Sequence, residues 1–218
     1  MRSRVSAFVA TTAAITTGVL AFSVPAHADA VTVISQGHVD AIDVAYEDGE
    51  LGITIHDETV EPDVERDPAD VILVARSQAR STVPADPAYA FLGSPGAAVW
   101  VLPETQDPNL LWPGLSGEEI EPGVFVDDSI RIRFKQVRGP DGLSLFTTDP
   151  VGTPSVLVDS EDGLPDVVTL PAGLHQHANW AFEKAGVYRI RVDATATLAT
   201  TGATVTSAPA WITFAVLP

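Results

Sequence analysis

The alternation from Tyr188 to Thr195 limits what this chain can fold into more than any other stretch. Tyr188, Ile190, Val192 and Ala194 share one parity, and Arg189, Arg191 and Asp193 the other. A period of two marks a strand with one buried face, because successive side chains leave the pleated backbone on opposite sides. The same rhythm recurs in Val39 to Glu47 and Glu50 to Asp57, which flank Asp48-Gly49. That dipeptide tolerates the positive φ of a two-residue hairpin loop. Such a loop sets Tyr46 beside Leu51, Val44 beside Ile53 and Ile42 beside Ile55, an apolar face. Further strands are predicted at Val71 to Arg76, Ala97 to Leu102, Ile130 to Val137, Leu143 to Thr147, Ser155 to Val158 and Trp211 to Val216. Gly139-Pro-Asp-Gly142 and Glu161-Asp-Gly163 supply turn chemistry, and no segment has a 3.6-residue apolar period of helix length. The pattern predicts one all-β domain, an antiparallel β-sandwich of immunoglobulin-like style. Phe182-Glu-Lys-Ala-Gly-Val-Tyr188 fits that style, since a glycine turn followed by an inward tyrosine commonly opens the penultimate strand.

Met1 to Ala28 reads as a secretory signal peptide, with Arg2 and Arg4, an apolar run from Val5 to Val24, and the small-residue site Ala26-His-Ala28. The expected mature chain, residues 29–218, is long enough for one substantial core. Losing Arg2 and Arg4 takes the net charge from −17 to −19. That excess argues against nucleic acid and anionic membrane surfaces, whose binding needs clustered Lys and Arg. No cysteine is present, so disulfides, thiolate metal sites and thiol catalysis are excluded and the hydrophobic core alone must hold the fold. Ala208 to Pro218 is too short to span a bilayer. The reading is a secreted, extracellular protein with no membrane span after signal cleavage.

Function is most legible in Leu170-Pro-Ala-Gly-Leu-His-Gln-His-Ala-Asn-Trp-Ala-Phe182. His175 and His177 stand two residues apart, so a strand presents both imidazoles from one face. Such a pair can close on one ion, and neutral imidazole suits Zn, Cu and Ni. Asn179 has the parity of the pair, while Trp180 and Phe182 have the other. The remaining mature histidines are His38 and His56. With Asp40 or Asp57 as an oxygen ligand, they would suit tetrahedral zinc, and carboxylates could instead orient the rings from outside. In the register set by Asp48-Gly49, His38 and His56 face opposite ways unless a bulge or twist intervenes.

Gln36-Gly-His-Val-Asp40, Ile55-His-Asp57, Phe91-Leu-Gly93, Val99-Trp-Val-Leu-Pro-Glu-Thr-Gln106, Leu111-Trp-Pro-Gly114, Arg138-Gly-Pro140, His175-Gln-His-Ala-Asn-Trp180 and Phe214-Ala-Val216 occur in that order. Together they resemble the actinobacterial surface-anchored repeat domain, also called the choice-of-anchor M domain, across essentially the whole mature chain. The resemblance implies an extracytoplasmic accessory role near the cell wall in zinc or manganese acquisition. The partners it implies are a divalent metal ion and a metal ABC transporter or its binding protein. The chain departs from that family in having a single copy and no visible C-terminal anchor.

Catalysis is not expected. His175-x-His177 is similar to the start of the metallo-β-lactamase motif, but Asn179 replaces its aspartate and no histidine follows. Ser94 in Leu92-Gly-Ser-Pro-Gly96 lacks the strand–turn–helix setting of a nucleophile elbow. Asp159 to Asp166 does not have the spacing of a calcium loop. The alternative to a metal-binding protein is a non-catalytic cell-surface module for wall polysaccharide or protein. Trp100, Trp112, Trp180 and Trp211 would then be candidate stacking platforms. Of these, Trp180 and Trp211 are expected in the core and Trp112 in an exposed loop.

Overall fold

A computed structural model describes residues 30–218, so the signal-peptide reading of Met1 to Ala28 lies outside the described residues. The architecture is an all-β sandwich. Among the described residues, helix is confined to short 3-10 stretches at Pro68–Asp70, Ser77–Ala79 and Pro87–Leu92. Among the described residues, no helix is long and apolar enough to cross a membrane.

The strands, labelled in chain order, form three sheets. The first runs β1 (Thr32–Ile34), β5 (Val71–Ala75), β17 (Ala210–Val216), β15 (Gly186–Leu198), β9 (Phe125–Arg138) and β12 (Asp166–Pro171), with β16 (Thr204–Thr206) also on β15. The second runs β13 (His175–His177), β8 (Leu111–Ser116), β2 (Gly37–Glu47), β3 (Glu50–Asp57) and β4 (Val64–Arg66). The third runs β11 (Pro154–Asp159), β10 (Leu143–Thr148), β14 (Asn179–Phe182), β7 (Ala98–Leu102) and β6 (Arg80–Thr82). Pairing is antiparallel except at β1–β5, β5–β17 and β2–β8. These parallel contacts join strands far apart in sequence, which hairpin reasoning could not supply.

The first sheet packs on the other two. Trp180 and Phe182 of β14 lie over Phe214 of β17, each with ring centroids 5.2 Å apart. Tyr46 of β2 meets Phe125 of β9 at 5.1 Å. One continuous buried cluster draws on all three sheets, and each fully buried large side chain in it contributes about 1.5–3 kcal/mol. Tyr188 is completely buried. Its hydroxyl donates to the Lys184 carbonyl at 3.0 Å and accepts from the Lys184 N–H at 3.2 Å, tying the turn before β15 to its own strand.

The hairpin follows its turn chemistry, with Asp48 at φ 50° and Gly49 at φ 88°. Tyr46 pairs with Leu51 and Val44 with Ile53, as the loop dictates. Beyond Asp43 the register slips by one, and Asp40 pairs with His56. A bulge at Ala41-Ile42 therefore separates the core end of the hairpin from its open end. It turns the parity of His38 and Asp40 to match that of His56.

Candidate metal centre

The stretch from His175 to Phe182 is two strands belonging to two sheets. β13 pairs with β8, β14 pairs with β7 and β10, and Ala178 alone lies between them. The histidines therefore stay beside β8 and β2 while Trp180 goes to the core. Asn179 shares neither destination. It is buried, donates to Glu104 Oε2 at 2.9 Å and to the Phe146 carbonyl at 3.1 Å, and accepts from the Glu104 N–H at 3.1 Å. Its expected place on the histidine face is thus corrected, because the chain changes sheet just before it.

Across β2, β8 and β13 the registers place Asp40 beside Gly114 and Gly114 beside His177. This row brings His38, His175 and His177 together, each offering a ring nitrogen within 4.8 Å of the others. Ring centroids lie 5.0 Å apart for His38 and His177, 5.7 Å for His38 and His175, and 5.5 Å for His175 and His177. The outward nitrogens are all engaged. His38 Nδ1 faces Glu58 Oε1 at 2.9 Å, His175 Nδ1 faces Glu118 Oε1 at 2.7 Å, and His177 Nδ1 faces the Pro113 carbonyl at 3.3 Å. Each acceptor favours the tautomer with its proton on Nδ1 and a lone pair on Nε2.

Two of those lone pairs are buried and unsatisfied. His38 Nε2, His177 Nε2 and Asp40 Oδ1 are buried without a hydrogen-bond partner. Asp40 is 2% exposed, and its Oδ1 lies 3.7 Å from His38 Nε2. Leaving such atoms unpaired costs about 1–3 kcal/mol each. Gly114 makes the gathering possible, since a Cβ there would run into Asp40 Oδ1 and sit 3.3 Å from His177 Cε1.

Electrostatics prepare the donors differently. Burial, aided by the His38 charge, pushes His177 down to about 4, so its ring is neutral at pH 7. Burial raises Asp40 to about 6, against the pull of His38 and His175. The bond to Glu118 outweighs burial and raises His175. The bond to His38 lowers Glu58.

Trp112 is not in an exposed loop. It belongs to β8, is half-buried, and stacks on His177 at 3.6 Å with 5° between planes. Its Nε1 donates to the Glu104 carbonyl at 2.9 Å. Trp180 is fully buried as expected. Trp211 is only half-buried, on the outer face of the first sheet beneath Arg138 and Arg189.

His56 stands outside the three-histidine group. Its Nδ1 is paired with Glu65, and its Nε2 lies 3.2 Å from Asp63 and 3.9 Å from Glu58. Burial works to lower its pKa, but the bond to Glu65 and the surrounding carboxylates raise it. The bulge gives His56 the right face, yet the width of the hairpin keeps it on the far side of Glu58. Asp57 is committed elsewhere, accepting from the Thr59 N–H at 2.9 Å, Thr59 Oγ1 at 2.6 Å and Arg66 Nε at 2.7 Å. Glu58, Glu118 and Gly114 were not singled out from sequence. The adjacency of Glu58 to His56-Asp57, and the place of Gly114 in the Leu111-Trp-Pro-Gly114 segment, were the available signals.

Besides a group of His38 with Asp40 and Glu58, a third gathers Asp141, Glu161 and Glu183 from three separate turns. It has no imidazole. Burial, followed by the charge of Glu161, pushes Glu183 up to about 7. Gly142 lies against it, since a Cβ there would meet both Glu183 and Glu161.

No family model, curated protein or solved structure matches this chain.

Proposed function

We propose that this chain is a secreted metal-binding accessory protein that holds one divalent transition-metal ion, zinc or manganese, at His38, His175 and His177 with Asp40. One observation carries the reading: three imidazoles held at Nδ1 bring a ring nitrogen each to within 4.8 Å of the others, and two of them, His38 and His177, keep Nε2 buried and unpaired beside the orphaned Asp40 Oδ1. Three nitrogens and one oxygen are a donor set that suits tetrahedral zinc. With Asp40, which is grouped with His38 and Glu58, as a fourth donor, the ion would have no open position for a substrate water, and the reading is non-catalytic. Service to a metal ABC transporter rests on the family resemblance alone.

Elemental analysis of the purified mature protein, followed by zinc and manganese titration, tests this. A ligand that binds only the folded state adds about 2.7 kcal/mol at a hundredfold excess over its dissociation constant, which raises the melting temperature by roughly 5–10 °C in a domain of this size. The double variant His175→Ala, His177→Ala is expected to lose both binding and this rise while keeping its β-sheet circular dichroism. A double variant that binds zinc like the parent puts the site elsewhere, and a parent that binds no divalent metal overturns the proposal.

A further inference from the structure

The outer face of the first sheet is cationic in an otherwise acidic protein. The mature sequence holds ten Lys and Arg, the 12 of the whole chain less Arg2 and Arg4. Six of them, Arg131, Arg133, Lys135, Arg138, Arg189 and Arg191, lie on β9 and β15, which pair directly. The register sets Arg189 opposite Arg138, Arg191 opposite Gln136 and Asp193 opposite Arg133. Asp193 takes up Arg133 at 2.5 Å and Lys135 at 3.0 Å. It is the only carboxylate that β9 and β15 carry between residues 129 and 138 and between residues 186 and 198. Arg131, Arg138, Arg189 and Arg191 form no ion pair with it.

Trp211 of β17 completes the face. The guanidinium carbons of Arg138 and Arg189 lie 4.7 and 5.0 Å from its ring centroid. A guanidinium stacked on an aromatic ring keeps its in-plane N–H groups free for a planar anion, and arginine rather than lysine is the residue for two-point contact with carboxylate or phosphate. Beside Trp211 and Arg189 opens a cavity of about 540 Å³, lined also by Thr213, Ile53 and the carboxylates of Glu65 and Asp67, which can accept from sugar hydroxyls while the anionic groups stay on the arginine row. That volume lies in the range of small-molecule sites.

We infer that this face binds an anionic polysaccharide, with carboxylate or phosphate groups on the arginine row and one sugar unit in the cavity beside Trp211. The shape of the charge favours a thin linear polymer. The row is two strands wide and about eight residues long, roughly 10 by 25 Å at strand spacings. Fields of exposed charges fade over about 8 Å at physiological salt. A narrow chain lying on the row feels mainly the arginines. A broad anionic bilayer would also meet the surrounding acidic surface, and the face offers it few apolar side chains. This inference is independent of the metal centre, which lies in another sheet.

Purified mature protein is titrated with oligogalacturonate, with poly(glycerol phosphate), with neutral dextran and with phosphatidylglycerol vesicles, following Trp fluorescence and sedimentation. Binding to one or both anionic polymers is expected, weakening as salt rises, with none to dextran. The two polymers decide between carboxylate and phosphate. The triple variant Arg138→Ser, Arg189→Ser, Arg191→Ser is expected to bind roughly tenfold or more weakly with a shallower salt dependence. Arg189→Glu alone is the second variant should the triple one fold poorly, with unchanged melting temperature as its control. The inference is overturned by a parent that binds neither anionic polymer, by equal binding to dextran, by binding to vesicles alone, or by variants that bind like the parent.

Discussion

The histidine centre and the Asp141–Glu161–Glu183 cluster both draw three titratable side chains to within 4.8 Å, and both leave a buried oxygen without a partner. They resolve the strain in opposite ways. At the carboxylate cluster every group would be negative, so burial and Glu161 push Glu183 up to about 7 and a proton removes part of the repulsion. At the histidine centre two ring nitrogens and Asp40 Oδ1 stay buried and unpaired, and outer acceptors fix all three rings. Proximity of ligating residues is common to the two sites. Orientation from outside is found at only one, and it separates the proposed ion site from a cluster that takes up a proton.

The largest expected effect comes from filling the space that lets the histidine centre assemble. Gly114→Ala drives a methyl group into Asp40 Oδ1 and displaces a proposed ligand. Zinc affinity is expected to fall by more than about 100-fold, beyond the range of outer-partner mutations. Calorimetric titration showing affinity within a few fold of the parent would remove Asp40 from the site.

A smaller effect tests the outer bonds themselves. Glu58→Gln and Glu118→Gln each weaken the acceptor for a ring Nδ1, and each is expected to cost roughly 10–100-fold in zinc affinity. Glu118 is the more exposed of the two, so its variant should sit at the lower end. Unchanged affinity in both would mean that the rings need no orientation and would erase the contrast with the carboxylate cluster.

The mildest expectation concerns the cluster that takes up a proton. The folded-state value of Glu183, about 7, lies above its ordinary 4.5. Its protonated form therefore adds stability that is fully present below about pH 4.5 and is lost as pH rises through about 7. Glu183→Gln should melt at a higher temperature than the parent above pH 7, with the advantage shrinking toward pH 5. A difference that does not change with pH would show that Glu183 ionises freely. Calcium that raises the parent's melting temperature but not the variant's would make this cluster a cation site after all.

Much of the frame was legible in local sequence. Asp48-Gly49 and the alternation of Tyr188 to Ala194 gave the hairpin and the core face of β15, since both depend on neighbours in the chain. β8 was hidden by Pro113-Gly114, which resembles a turn. Pro113 is tolerated because its carbonyl, and hence its missing N–H, points toward β13 just past the last ladder partner, His177 with Gly114. The His175–His177 pair was visible from spacing. That His38 joins it depends on the β2–β8 register, and that His56 does not depends on where Glu58 and Glu65 intervene. The arginine alternation on β15 was visible in the sequence, while that on β9 was not singled out. Their union into one face follows from pairing between strands about fifty residues apart, which net charge concealed.

β13 is a rim strand of three residues with β8 as its one strand partner. An ion shared by His38 and the His175–His177 pair would tie it to β2, skipping over β8. In a chain with no cysteine, that tie would serve as a crosslink closing a loop of more than a hundred residues. A covalent link over such a span is worth about 4.7 kcal/mol in the chain-entropy model. A coordination crosslink can be opened by a chelator or a competing protein, with no reductant required, so this short rim strand would be fastened only while an ion is bound.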